Sequence, residues 1–256
     1  MRIPKIKGVI KRRLLVNFRA SPEIVQPLLP APFRPKLHKG FALVGICLIR
    51  LEQIRPAALP GFLGASSENA AHRIAVQWND ASGNLCEGVY IPRRDSSSWL
   101  NQLAGGRLFP GVHHAATFSV MDQISHIELS MQSRDGEVSI NVVGSEANEI
   151  PKTSCFASLV EASAFFEAGS LGYSASHTPE KSDGLILHTS EWRVRALEVS
   201  SVHSSYFEDP VRFPQGSVCF DHALVMRNIL HEWHWAEDMI HHKARQPLLH
   251  PEPAYG

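Results

Sequence analysis

Phe41-Ala-Leu-Val-Gly-Ile-Cys-Leu-Ile-Arg-Leu-Glu-Gln-Ile54 is the stretch whose reading decides the fold. It is long, apolar and rich in β-branched side chains, which points to a buried strand. Upstream, residues 14–19 read as a second strand. Ser21 then caps a short helix, with Pro22 at its first position and Glu23 in the first turn, where the helix dipole favours an acid. Pro30 and Pro32 stop that helix near Leu29. Downstream, residues 74–78 and 85–91 form a hairpin about the turn Asn79-Asp80-Ala81-Ser82-Gly83-Asn84. Asp95 can cap a short helix running to Leu103, ended by Gly105-Gly106.

Further strands are expected at 116–120, 124–131 and 138–143, with Asp135-Gly136 turning between the last two. Residues 154–168 make the best helix pattern in the chain, with Phe156, Leu159, Val160, Ala164 and Phe165 on one face and Gly169 at its end. Strand-like runs follow at 185–188, 192–202 and 218–226. Many strands with few short helices predict a mainly β (α+β) barrel. The expected organisation is a single domain, 1–256, with a core over 14–235 and a His-rich polar C-terminal segment over 236–256. Truncation after Trp235 is therefore expected to leave the melting temperature nearly unchanged.

Lysine plus arginine equals aspartate plus glutamate at 25 each, so no net field draws in nucleic acid or an acidic membrane. The basic N-terminus, with Arg12 and Arg13, reads as a solvated lead-in to the first strand or as a phosphate-binding arm. No apolar run reaches membrane-span length, and no signal-peptide core opens the chain. Cys47, Cys86, Cys155 and Cys219 lack CxxC spacing, and buried reduced thiols are the default for such runs. The expectation is a cytoplasmic protein without a cofactor, taking a small-molecule ligand, with homo-oligomerisation open.

Several phrases in a fixed order carry a family resemblance: residues 50–59, ending Arg-Pro-Ala-Ala-Leu; the Gly-Gly-Arg-Leu-Phe-Pro run before Gly111; Glu161-Ala-Ser-Ala-Phe165; Gly169-Ser-Leu-Gly-Tyr173-Ser; Ser204-Ser-Tyr-Phe207; and Gly216-Ser-Val-Cys-Phe-Asp221-His-Ala-Leu-Val-Met-Arg227. Together they resemble the YqjF-like proteins of the acetoacetate decarboxylase-like superfamily, over roughly residues 14–235. The resemblance implies a cone-shaped, largely antiparallel β-barrel with a closed ligand cavity. In the true decarboxylases an aromatic-Pro-Lys-Lys turn follows Gly-Arg, and one lysine forms a Schiff base while its neighbour lowers its pKa. Here the turn reads Gly106-Arg107-Leu108-Phe109-Pro110-Gly111-Val112-His113-His114. Aligned on Phe-Pro, Gly111 and Val112 replace the lysines; counted from Arg107, His114 stands near the first. No lysine occurs between Lys39 and Lys152, and neither guanidinium nor imidazole forms the imine. Schiff-base decarboxylation is therefore not expected.

The candidate catalytic residues are Glu68, Arg107, His113 and His114; the candidate ligand-binding residues are Arg73, Trp99 and Asp221. Arg107 can hold a substrate carboxylate bidentately or pin a helix end to nearby carbonyls. Glu68 and Arg73 lie near where the decarboxylases place a cavity glutamate, with a slip of one residue. A buried Glu68 would suit a general base; a solvated one would be a loop residue. His113 and His114 are adjacent in a strand, so at most one enters a cavity. Asp221 and His222 should likewise face opposite ways, and an inward acid must be paired or functional. If the C-terminal run were helical, His231, His234, Asp238 and His241 would share a face and could hold zinc, although the spacing is not HExxH. Three readings follow: a cavity protein binding or acting on a small organic acid or enol, a metal-assisted enzyme, or an interaction module whose cavity is filled by Trp99, Phe109 and Phe118.

Overall fold

A computed structural model describes residues 5–98, 110–123 and 125–241. The chain begins with two long strands, β1 (Lys5–Ala20) and, after the short β2 (Arg34–Pro35) and β3 (Leu37–His38), β4 (Phe41–Pro56). The hairpin β5 (Ala65–Asn79) and β6 (Leu85–Ser96) follows, then β7 (His113–Gln123), β8 (His126–Ser133) and β9 (Ser139–Ala147). After the helix Leu159–Glu167 come β10 (Leu171–Ala175), β11 (Lys181–Thr189), β12 (Arg195–Ser204), β13 (Val218–Trp235) and β14 (Met239–Ile240). Among the described residues no helix is long and apolar enough to cross a membrane.

The strand pairings close into two rings that share a wall. One runs β6-β7-β8-β9-β12-β13-β1-β4-β5 and returns to β6; the other runs β6-β10-β11-β13-β1-β4-β5 and returns to β6. Pairing is antiparallel except at β10–β6 and β6–β7. Both faces of the shared wall are therefore buried. Leu14, Val16, Ala42, Val44 and Ile46 point into one core, while Leu15, Leu43, Cys47 and Ile49 point into the other. A strand covered on both faces has no polar side to display, which is why residues 41–54 read as a continuous apolar run.

The structure corrects several local expectations. Asp95 does not cap a helix: it lies in β6, fully buried, because Arg93 on the same strand engages both its oxygens at 2.9–3.2 Å. The helix expected from residue 154 starts at Leu159, where the Ser158 hydroxyl accepts from the Glu161 amide. It buries Ala162 and Phe166 and leaves Val160 exposed, so the buried stripe is rotated from the expected one. The N-terminus is no solvated lead-in, since β1 starts at Lys5 and Arg12 is only 2 % exposed. The run through Trp235 is strand, so His231 and His234 fall on opposite faces and the helical ligand set does not form. Nor is the segment beyond Trp235 a free tail. Met239 and Ile240 pair with β11, Lys181 meets Asp238 at 2.8 Å, and the His241 ring bonds Ser182 Oγ and the Ala31 carbonyl.

Candidate functional site

A cavity of about 130 Å³ lies on the second-core side of the shared wall, closed from the far side by β10, β11 and the end of the helix Leu159–Glu167. Most of its lining is apolar, including Leu15, Ile49, Ile91, Leu185 and Leu187. Three guanidinium groups enter this apolar space: Arg13 from β1, Arg73 from β5 and Arg94 from β6. None has a carboxylate partner among the described residues. Arg13 Nε donates to the Cys47 thiol at 3.3 Å, Arg94 Nε donates to Ser174 Oγ at 3.0 Å, and Arg73 Nη2 donates to Asn17 Oδ1. Arg73 also lies over the Phe166 ring at 4.8 Å. Burial lowers both Arg73 and Arg94 to about 10, for Arg94 against the opposing charge of Asp183. Residues 13, 15 and 17 share parity in β1, so the same alternation that buries Leu15 carries Arg13 and Asn17 to the cavity face.

Arg73 is held by a buried relay. Asn17 Nδ2 meets His222 Nε2 at 3.0 Å, and His222 Nδ1 meets Asp221 Oδ2 at 2.6 Å. Asp221 also accepts from Arg19 Nη1 at 3.0 Å, the Cys155 amide at 2.9 Å and Ser154 Oγ at 2.6 Å. Burial opposes ionisation of Asp221, but the bonds from His222, Ser154 and Cys155 win and hold its carboxyl below the usual range. Burial lowers His222 against the pull of Asp221, which favours the neutral ring. With Nδ1–H given to Asp221, Nε2 is left to accept from Asn17, which fixes the amide so that its oxygen faces Arg73.

Of the residues singled out by sequence, Arg73 and His113 reach this cavity together. His113 sits opposite Arg94 across the parallel β6–β7 pair, and burial, helped by Arg94, pushes its ring down to about 3. His114 points the other way and meets Asp135 Oδ2 at 3.0 Å. Glu68 lies off the cavity, with Oε2 at 2.6 Å from Arg12 Nη2; burial raises its carboxyl and Arg12 opposes the rise. Asn69, one residue on, takes the cavity-facing position instead. Asp221 supports the site only through His222 and Asn17. Arg107, Trp99 and Phe109 lie outside the described residues.

Sequence reading gave Arg94 and Asn17 no role, read Arg13 as part of a lead-in or phosphate-binding arm, and read Cys47 as a buried thiol without placing it at a site. Arg13 was hidden in a basic run and Arg94 in an apparent helix entry. The available signal was parity, since polar residues 13 and 17 alternate with residues buried in the opposite core. All four cysteines are free thiols.

Solved structures with this architecture are acetoacetate decarboxylase-like. The acetoacetate decarboxylase of Legionella pneumophila subsp. pneumophila strain Philadelphia 1 superposes with a TM-score of 0.57 at 10% identity, covering 92% of this chain and 88% of that one. The enduracididine biosynthesis enzyme MppR, complexed with pyruvate, gives 0.55 at 8% identity, covering 93% and 90%. A further acetoacetate decarboxylase gives 0.53 at 10% identity, covering 93% and 88%. At these identities the likeness is one of fold. No curated protein matches the sequence significantly. The DUF2071 family model, described as "Uncharacterized conserved protein (COG2071)", matches residues 9–217, and the chain, with its acetoacetate decarboxylase-like fold, belongs to that family.

Proposed function

We propose that this protein binds, or acts on, a small organic acid in the cavity of its second core, without imine chemistry. The carrying observation is the meeting of Arg13, Arg73 and Arg94 in one largely apolar cavity, with no carboxylate among the described residues paired to any of them. Isolated charges are costly to bury, so guanidiniums left without countercharge favour an anionic ligand that supplies it. The apolar wall suits the carbon skeleton, and a neutral His113 beside Arg94 offers the ligand a ring nitrogen for a hydrogen bond. The fold neighbour MppR, held with pyruvate, supports an organic acid as the ligand class.

The described lining residues include no lysine. Lys5 meets Glu232 at 2.6 Å, Lys36 meets Glu87 at 2.7 Å, and Lys181 meets Asp238 at 2.8 Å. The test has two parts. Calorimetric titration with pyruvate and acetoacetate should show saturable binding that falls by about tenfold or more in Arg73→Met, the loss of one charge-assisted contact. Incubation of the same acids with borohydride should leave the mass of the intact protein unchanged. Absence of binding in the wild type would remove the cavity reading; a lysine adduct would restore Schiff-base chemistry.

A further inference from the structure

The charge of the cavity wall defines the ligand more narrowly than the presence of an anion site. Three guanidiniums bring three positive charges. His113 adds none, because burial keeps its ring neutral. Asp95 is the carboxylate on the described wall, and Arg93 engages both its oxygens; Arg93 in turn reaches Asp135 at 2.8 Å and Glu137 at 2.6 Å. Counted in full against the cavity arginines, Asp95 lowers the excess from three to two. Asp183 lies off the lining: it acts on Arg94 through its charge, while its oxygens meet Lys181 at 3.3 Å and the Gly111 amide at 3.0 Å. This balance is that of the described residues.

A single carboxylate would leave at least one of the three guanidiniums, of which Arg73 is buried and Arg13 and Arg94 are half-buried, without a countercharge. Inorganic phosphate would match the charge but waste the apolar walls of Leu15, Ile49 and Ile91. We infer that the cavity is built for a short-chain dicarboxylate, its two carboxylates shared among Arg13, Arg73 and Arg94 and its carbon spacer packed on the apolar wall. This rests on the organic-acid reading above and narrows it to a dianion.

The experiment compares diacids with monoacids of the same skeleton. Malonate, succinate, propionate, butyrate and inorganic phosphate are titrated by calorimetry into the full-length protein at constant ionic strength and neutral pH. Malonate or succinate should bind at least about tenfold more tightly than its monoacid counterpart and than phosphate. In Arg94→Met and Arg13→Met that preference should shrink to about threefold or less while monoacid binding persists. If a variant does not fold, as judged by circular dichroism, the wild-type comparison decides alone. Monoacids binding as tightly as diacids would overturn the dianion and leave the organic-acid reading standing. Phosphate binding as tightly as succinate would overturn it by showing a bare charge site. If no acid binds, both readings fall.

Discussion

At Gly111 the backbone stands at φ 86°, and a Cβ placed there would lie 2.6 Å from the Ser174 Cβ. The turn that carries paired lysines in acetoacetate decarboxylases thus has, at this position, a conformation and a neighbour that only glycine accommodates. Gly111→Lys should lower the melting temperature, with a cost on the order of 1–3 kcal/mol from backbone strain, and should yield no borohydride-trapped adduct. A stable variant that forms the adduct would show that the turn tolerates the lysine after all. Asn17 is the other decisive single residue. Asn17→Ala strips a partner from Arg73 and from His222 Nε2, both buried, and should destabilise by about 1–3 kcal/mol. If the relay orients Arg73, the same change should weaken organic-acid binding while leaving the neighbouring Arg94 contact to Ser174 intact. Unaltered affinity would reduce the relay to a packing role.

Regular alternation explains why sequence separated His113 from His114 correctly, and a break in alternation explains why it mishandled Asp221 and His222. Asn17 pairs with His222 but Phe18 pairs with Phe220, so Asp221 is the extra residue of a β-bulge in β13. The bulge lets the two neighbours bond each other instead of facing apart. A second irregularity, where His72 pairs with Arg93 but Ile74 with Tyr90, flanks Arg73 and lies at Pro92, which has no amide to give the ladder. The first bulge builds the relay behind Arg73, and the second flanks Arg73 itself. The C-terminal element also departs from expectation. Because residues 236–241 bond to β11 and to Ala31, truncation after Trp235 should lower the melting temperature measurably, by several degrees, rather than leave it unchanged. An unshifted melting curve would show that this docking contributes nothing.

The two rings share five strands, so the molecule buries polar groups at the wall that an ordinary single-cored barrel would leave wet. His72 is fully buried between Tyr206 and Phe207, with neither ring nitrogen bonded among the described residues, and burial lowers its pKa to about 3, as for His113. The unfolded chain protonates these rings near pH 6.5, so between about 6.5 and 3 it binds more protons than the folded one. Stability should therefore rise with pH across that window and fall on acidification, each ring contributing on the order of a few kcal/mol at its acid end. Asp221, whose pKa is lowered, stabilises above the ordinary carboxylate range and gives up that contribution as pH falls below it. Thermal melts from neutral pH to about pH 4 should show the decline, and His72→Leu should make it shallower. An equal slope in the variant would clear His72 of the effect.

Local chemistry in the sequence was enough for the strand-rich class, the hairpin over Asn79–Asn84, the helix ending before Gly169 and the want of a lysine near the Pro110 turn. Those features depend on neighbours in the chain: β-branched runs, turn residues, caps and residue identity. The cavity was not legible in the same way. Arg13, Arg73 and Arg94 stand on three different strands, and only the closure of β1, β4, β5 and β6 with β10 and β11 sets them around one space. Likewise, whether Arg13 meets water or a second core depends on the far ring being there, which no residue near Arg13 encodes.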